Sequence, residues 1–267
     1  MVKNIIKNLE FLLKPRNMAF IGVALAASSL PNTSFGNVQE RVQRGLAALN
    51  ELDKPRLTDE QTAELYTVAD NNLSLAFKED PCDCGALIGY GKFQAKLGDS
   101  GRSIPLLEQA VSECGTDNAL EALISAYINV KDFDNAKKNI DVLMSRNKDS
   151  FNAHGQLGFI KWAEGDYEGA IAEYEKALIT DPKAYWILNN IADTYKKLGA
   201  FDSALKYAMQ SVKINPNYAE GHFELGVIYR KIGRKQDAVT ELRKAVELAP
   251  EADNFREELT VSEKLLK

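Results

Sequence analysis

The sequence is short of the residues from which most catalytic and metal centres are built. Its 267 residues include two histidines, His154 and His222, and three cysteines, Cys82, Cys84 and Cys114. Two distant histidines, with no Cys-x-x-Cys pair, leave no ligand set at zinc-like spacing. No serine or cysteine stands in a nucleophile elbow, and no glycine-rich phosphate loop follows a strand. Carboxylates are plentiful, but they lie beside Lys and Arg on what read as exposed helix faces, which is ordinary solvated pairing. No catalytic residue, metal ligand or cofactor is therefore expected. Basic charge is scarce too: the formal net charge is −5. Residues 1–36 hold four basic residues (Lys3, Lys7, Lys14, Arg16) and one acidic residue (Glu10), so the remainder carries −8. Phosphate binding needs a basic face, and nucleic acid is not expected as a partner.

What the sequence does have is repetition. Leu157, Ile191 and Leu225 stand 34 residues apart, and so do Gly165, Gly199 and Gly233, Ala170, Ala204 and Ala238, and Pro182, Pro216 and Pro250. Self-similarity at such a period means stacked copies of one small unit. Ahead of each glycine, apolar residues recur at helical spacing, as in Leu188, Ile191, Ala192 and Tyr195; behind it they do so again, as in Ala204, Leu205 and Ala208. The glycine marks a turn between two helices, and an Asp-Pro or Asn-Pro pair stops the second helix in the first two copies. One such pair cannot bury both its helices, so the copies must stack. The alanines at the shared position let two backbones approach closely.

The spacing Leu225-Gly226-x-x-Tyr229, then Ala238, Leu242, Ala245 and Pro250, resembles the tetratricopeptide repeat. Ile191-Ala192, Tyr195, Ala204, Ala208, Ser211 and Pro216 repeat it, as do Leu157-Gly158, Ala170, Tyr174, Ala177 and Pro182, although Lys161 stands where the family usually has an aromatic. The resemblance implies an all-α, right-handed α-solenoid of stacked antiparallel helix pairs. Upstream the period weakens but continues: Tyr127, Phe133 and Ala136 match Tyr195, Phe201 and Ala204, and Gly98, Ser103 and Ala110 carry one earlier copy. Five repeats are expected at 84–116, 117–150, 151–184, 185–218 and 219–252. Asp99, Asp132 and Asp166 share one repeat position and are candidate N-caps, and Pro105 is expected within about the first turn of its helix. Residues 37–83 read as a degenerate helical pair without the turn glycine. Lys54-Pro55 breaks its first helix, and Thr58 with Gln61 forms a capping box for its second. Residues 253–267 read as a C-terminal capping helix, since terminal units of a stack are atypical.

Residues 1–36 run from basic (Lys3 to Arg16) through an uncharged apolar stretch (Met18 to Leu30) to small and polar residues, the order of an export signal. The apolar stretch is shorter than the roughly 20 residues that span a bilayer as a helix. Cleavage after Gly36 is expected, with a second choice after Ala26. The segment also reads, less well, as an uncleaved anchor or an organelle transit segment. No lipid-accepting cysteine adjoins it.

Cys84 and Cys114 fall in the repeat 84–116, and Cys82 stands two residues before it. Cys82 and Cys84 lie where its first helix begins and Cys114 where its second ends, and in an antiparallel pair those ends meet. A disulfide from Cys84 or Cys82 to Cys114 is expected, which suits an exported setting, and the remaining thiol is expected to be buried. The histidines share one repeat position and are expected to pack rather than bind metal.

In stacked helix pairs the first helices line the concave side, where tetratricopeptide repeats usually hold partner peptides. By register this face carries Asn152, Phe159, Trp162, Trp186, Asn189, Asn190, Asp193, Lys197, Phe223, Val227 and Arg230. Asn side chains donate to and accept from an extended backbone, and aromatics supply contact area. The family's Lys/Asn carboxylate clamp is not reproduced. The resemblance thus implies a non-enzymatic scaffold for protein or peptide partners, and the export-like start adds the expectation that it is exported to a bacterial cell envelope and its periplasm. Two alternatives stand beside it. One is an inner-membrane-anchored assembly factor for a secretion, pilus or outer-membrane machine, touching membrane only through residues 1–36. The other is a thiol-active folding helper that uses Cys82, Cys84 and Cys114.

Overall fold

A computed structural model describes residues 37–52 and 57–266. Among the described residues there are thirteen helices and no strand. They are α1 (Val38–Glu51), α2 (Asp59–Glu79), α3 (Cys84–Lys96), α4 (Ser100–Cys114), α5 (Asp117–Asn129), α6 (Phe133–Arg146), α7 (Phe151–Glu164), α8 (Tyr167–Thr180), α9 (Tyr185–Lys197), α10 (Phe201–Ile214), α11 (Ala219–Lys231), α12 (Lys235–Leu248) and α13 (Asp253–Lys264). The export-like segment and the Lys54–Pro55 break lie outside the described residues. No helix among the described residues is long and apolar enough to cross a membrane.

The helix ends follow from single residues. Thr58 and Gln61 form a reciprocal capping box at the start of α2. Asp99, Asp132 and Asp166 each accept a hydrogen bond from the backbone N–H three residues on, at 3.1, 3.2 and 3.0 Å. Gly98, Gly165, Gly199 and Gly233 turn the chain between the helices of a pair at φ +80°, +85°, +74° and +83°. Lys131 holds the equivalent place before α6 at φ +62°, the one non-glycine in the left-handed region among the described residues. One expectation is corrected. Because Asp99 caps α4 at Ser100, Pro105 is the sixth helical residue and sits in the second turn, not the first. The helix continues past it to Cys114 without the hydrogen bond that a proline nitrogen cannot donate.

The chain forms two compact units, one ending at Val130 and one beginning at Lys131, so α5 falls in the first and α6 in the second. In the first unit α1 and α2 pair, α3 lies against both, α4 pairs with α3, and α5 packs on α3 and α4. Its core gathers Ala48, Leu49, Ala69, Leu73 and Phe93. In the second unit α6 packs on α7, and α7–α8, α9–α10 and α11–α12 are pairs. Each following first helix packs on both helices of the pair before it, and α13 takes the same place against α11 and α12.

Close approach within a pair is set by small residues. Ser103, Ala136, Ala170, Ala204 and Ala238 are all fully buried at one repeat position. On the partner helices a glycine faces a large side chain. A Cβ on Gly158 would lie 2.6 Å from the Tyr174 ring, one on Gly226 2.6 Å from Leu242, and one on Gly91 2.7 Å from Leu107. Gly45 meets Leu73 in the same way. The degenerate pair therefore lacks the turn glycine but keeps a glycine at the helix contact.

Cys84 and Cys114 are joined by a disulfide with Cα atoms 5.8 Å apart. It ties the start of α3 to the end of α4, where the antiparallel arrangement brings them. Cys82 is free and exposed, not the buried thiol expected from the sequence.

Two outcomes follow for stability. Gly158→Ala should destabilise by about 1–3 kcal/mol, because the Tyr174 ring it would strike is 1% exposed and has nowhere to move; chemical denaturation of the two proteins measures this. Reduction, or Cys84→Ser with Cys114→Ser, releases a 30-residue loop and should cost roughly 3–4 kcal/mol. Cys82→Ser should leave the denaturation midpoint unchanged.

Candidate polypeptide-binding face

In the second unit the first helices α7, α9 and α11 lie side by side, α7 against α9 and α9 against α11. Their repeat period places equivalent residues in register. Asn152, Phe159 and Trp162 come from α7, Trp186, Asn189, Asn190, Asp193 and Lys197 from α9, and Phe223, Val227 and Arg230 from α11. They do not form one uniform lining.

The α7–α9 part is open. Phe159 and Trp186 are 39% and 41% exposed, a high figure for such large apolar side chains. Phe159 stacks on Trp162 with ring centroids 5.9 Å apart, and Trp186 meets Phe151 edge-on at 5.6 Å. The Lys197 ammonium stands over the Trp162 ring, 5.8 Å from its centroid. Two polar atoms beneath this surface are enclosed without a hydrogen-bond partner, Trp162 Nε1 and Asn189 Oδ1. One is a donor and the other an acceptor, the complementary pair that an extended backbone satisfies.

The α11 part is largely taken. Phe223 stacks on Phe255 of α13 at 4.5 Å, Arg230 pairs with Glu258 of α13, and Val227 is 9% exposed. The capping helix engages Phe223 and Arg230, and Val227 is buried, so the open part of the expected lining lies on α7 and α9.

The structure adds two residues that register alone did not select. Lys196, rather than its neighbour Lys197, carries the ion pairs: its Nζ lies 2.8 Å from Asp193 Oδ1 and 2.7 Å from Glu224 Oε2 of α11. Burial works against the Lys196 charge, but Glu224 and Asp193 outweigh it and hold its pKa above the ordinary lysine value. Burial pushes the Glu224 carboxyl up, with Lys196 pulling the other way. A repeat-to-repeat comparison contained the signal. Lys196 and Glu224 are 28 apart, Arg230 and Glu258 are 28 apart, and Trp162 and Asn190 hold the same two positions one repeat earlier.

The histidines pack, as their shared position suggested, and in the same way. His154 places Nδ1 2.7 Å from Glu173 Oε2 and Nε2 2.8 Å from the Lys148 carbonyl. His222 places Nδ1 2.7 Å from Glu241 Oε2 and Nε2 3.0 Å from the Pro216 carbonyl. Each ring therefore clasps the second helix of its pair to the loop before the first. No cluster of metal-ligating side chains occurs among the described residues.

For His222 the Glu241 hydrogen bond raises the pKa; burial opposes it, the Pro216 carbonyl assists, and Lys244 weakly opposes. A raised histidine pKa stabilises the fold below the unfolded value of about 6.5, and that contribution is lost as pH rises through the folded value. His222→Gln should therefore lower the melting temperature more at pH 5.5 than at pH 8.5, as paired thermal melts will read.

Three sequence profiles match the chain: one described as TPR repeat over residues 158–199, and two described as tetratricopeptide repeat over 187–218 and 219–252. The chain is 33% identical over 101 residues to the small glutamine-rich tetratricopeptide repeat-containing protein 2 of Mycosarcoma maydis, covering 38% of this chain and 29% of that protein. It is 28% identical over 108 residues to the small glutamine-rich tetratricopeptide repeat-containing protein of Dictyostelium discoideum, covering 40% and 32%. The chain thus spans about a third of the length of these curated relatives. In structure it resembles a chain of the Cut9–Hcn1 hetero-tetramer of the APC/C, with a TM-score of 0.70 and 18% identity over 85% of this chain and 43% of that one.

Proposed function

The chain is a tetratricopeptide-repeat protein, and from that premise we propose that it is a non-enzymatic scaffold that holds a polypeptide segment against its first helices. One observation carries the reading. On α7 and α9, exposed Phe159 and Trp186 flank a donor and an acceptor, Trp162 Nε1 and Asn189 Oδ1, that the protein leaves without partners. Buried polar groups are nearly always paired in native proteins. A segment laid along the face would gain apolar contact from the aromatics, and would pair with the enclosed polar atoms only as the Trp162 and Asn189 side chains turn to meet it. The related proteins are named for the same repeat, which supports the fold of the face rather than the identity of its partner.

The location we propose is outside the cytoplasm, in a cell envelope and its periplasm. The support is the export-like order of residues 1–36 together with a disulfide, which persists in oxidising compartments. The N-terminal mass of protein purified from its native compartment separates the released form, which loses residues 1–36, from an anchored assembly factor, which keeps them. A thiol-active role is disfavoured. The Glu113 carboxylate beside Cys82 raises its pKa, and a thiol held protonated is a poor nucleophile.

The decisive measurement is affinity capture from the native compartment, with mass spectrometry of the retained proteins. The triple variant Trp186→Ala, Asn189→Ala, Asn190→Ala should lose at least tenfold in partner retention with unchanged helicity and melting temperature. Capture that survives the triple variant would place binding on another surface.

A further inference from the structure

Between α9 and α11 lies an ion cluster in which two carboxylates share one ammonium. Asp193 and Glu224 both draw on the single Lys196 ammonium, at 2.8 and 2.7 Å. Glu224 is 5% exposed, and its second oxygen, Oε1, is enclosed with no hydrogen-bond partner. A buried carboxylate with one oxygen unpaired is costly. The equivalent pair one repeat on, Arg230 with Glu258, is matched one to one. Lys197 is close enough to act on Glu224, but it is exposed and stands over Trp162. When ionised, the trio of Asp193, Lys196 and Glu224 carries one net negative charge. Asp193 is its accessible member, with a quarter of its side chain exposed. Asn189, one turn earlier on the same helix, adds an acceptor that also lacks a donor.

We propose that this face takes an extended peptide segment carrying a lysine or arginine, whose cation pairs with Asp193 while Lys196 turns wholly to Glu224. This rests on the reading of the face as a polypeptide-binding surface and adds the chemistry of the occupant. No covalent bond changes. The incoming cation replaces Lys196 on Asp193, and the released ammonium reaches both oxygens of Glu224, so the unpaired oxygen gains its donor. An acidic segment would add negative charge to a cluster already in excess of it, and would be rejected.

The test uses the full chain and a positional-scanning library of decapeptides with acetylated and amidated ends, so that no terminal charge contributes. Retained peptides should be enriched in Lys or Arg at one position. Replacing that residue with Nε-acetyl-lysine should weaken binding to the unaltered protein at least tenfold. Asp193→Asn should remove the enrichment while circular dichroism and melting temperature stay as in the parent. The acetyl-lysine comparison needs no variant, so it stands even if Asp193→Asn fails to fold. Enrichment in Asp or Glu, or indifference to charge, would overturn the cationic occupant and leave the scaffold intact. Enrichment that persists in a folded Asp193→Asn would remove Asp193 as the receiver. Retention of no peptide at all would overturn both this inference and the scaffold reading.

Discussion

The contact between the two helices of a pair governs the rest of the molecule. Helix axes come close only where one side offers a hydrogen or a methyl group, and each pair meets that condition with its own residues. Gly158 faces Tyr174, Gly226 faces Leu242, Gly91 faces Leu107 and Gly45 faces Leu73, while Ala170, Ala204 and Ala238 are fully buried. A pair packed this tightly still leaves an apolar flank on each helix. The next first helix covers that flank, and the flank it leaves in turn is covered by the one after. In the second unit the sequence of covers ends with α13, whose Phe255 closes over Phe223.

The first helices serve two ends at once. They pack on their neighbours, and they present residues to a partner. Between neighbouring first helices, the residues 28 apart show how one backbone geometry carries different chemistry. Trp162 with Asn190 is uncharged, Lys196 with Glu224 is charged and shared with Asp193, and Arg230 with Glu258 is charged and balanced. The backbone repeats while the electrostatics drift. That drift, together with the covering of α11 by α13, concentrates the open, under-satisfied surface on α7 and α9. The histidine clasps show the opposite tendency: His154 and His222 keep the same carboxylate and carbonyl partners two repeats apart.

The helix pairs, their turns and their caps were readable from residues because each depends on neighbours a few positions away. The Thr58–Gln61 capping box occurs where its local motif placed it, and the Asp99, Asp132 and Asp166 caps and the turn glycines where the period placed them. Pro105 lies one turn further into α4 than its spacing suggests, because the cap at Asp99 sets where α4 begins. The glycine contact in the degenerate pair is not legible in the sequence, because Gly45 and Leu73 lie on different helices and nothing local signals their meeting. Cys84 and Cys82 were equivalent by spacing. The start of α3 at Cys84 chose between them by bringing that residue's Cα within 5.8 Å of Cys114.

By itself, the sequence determined the helix pairs and their period, because these follow from apolar spacing within about 34 residues. The tertiary structure decided which inward residues remain free. Lys196 rather than Lys197 reaches Glu224, Arg230 is claimed by Glu258, and Asn189 is left without a donor. The physical reason is that such pairings depend on the rotation and offset of one helix against the next, a quantity set by the packing of all the side chains between them.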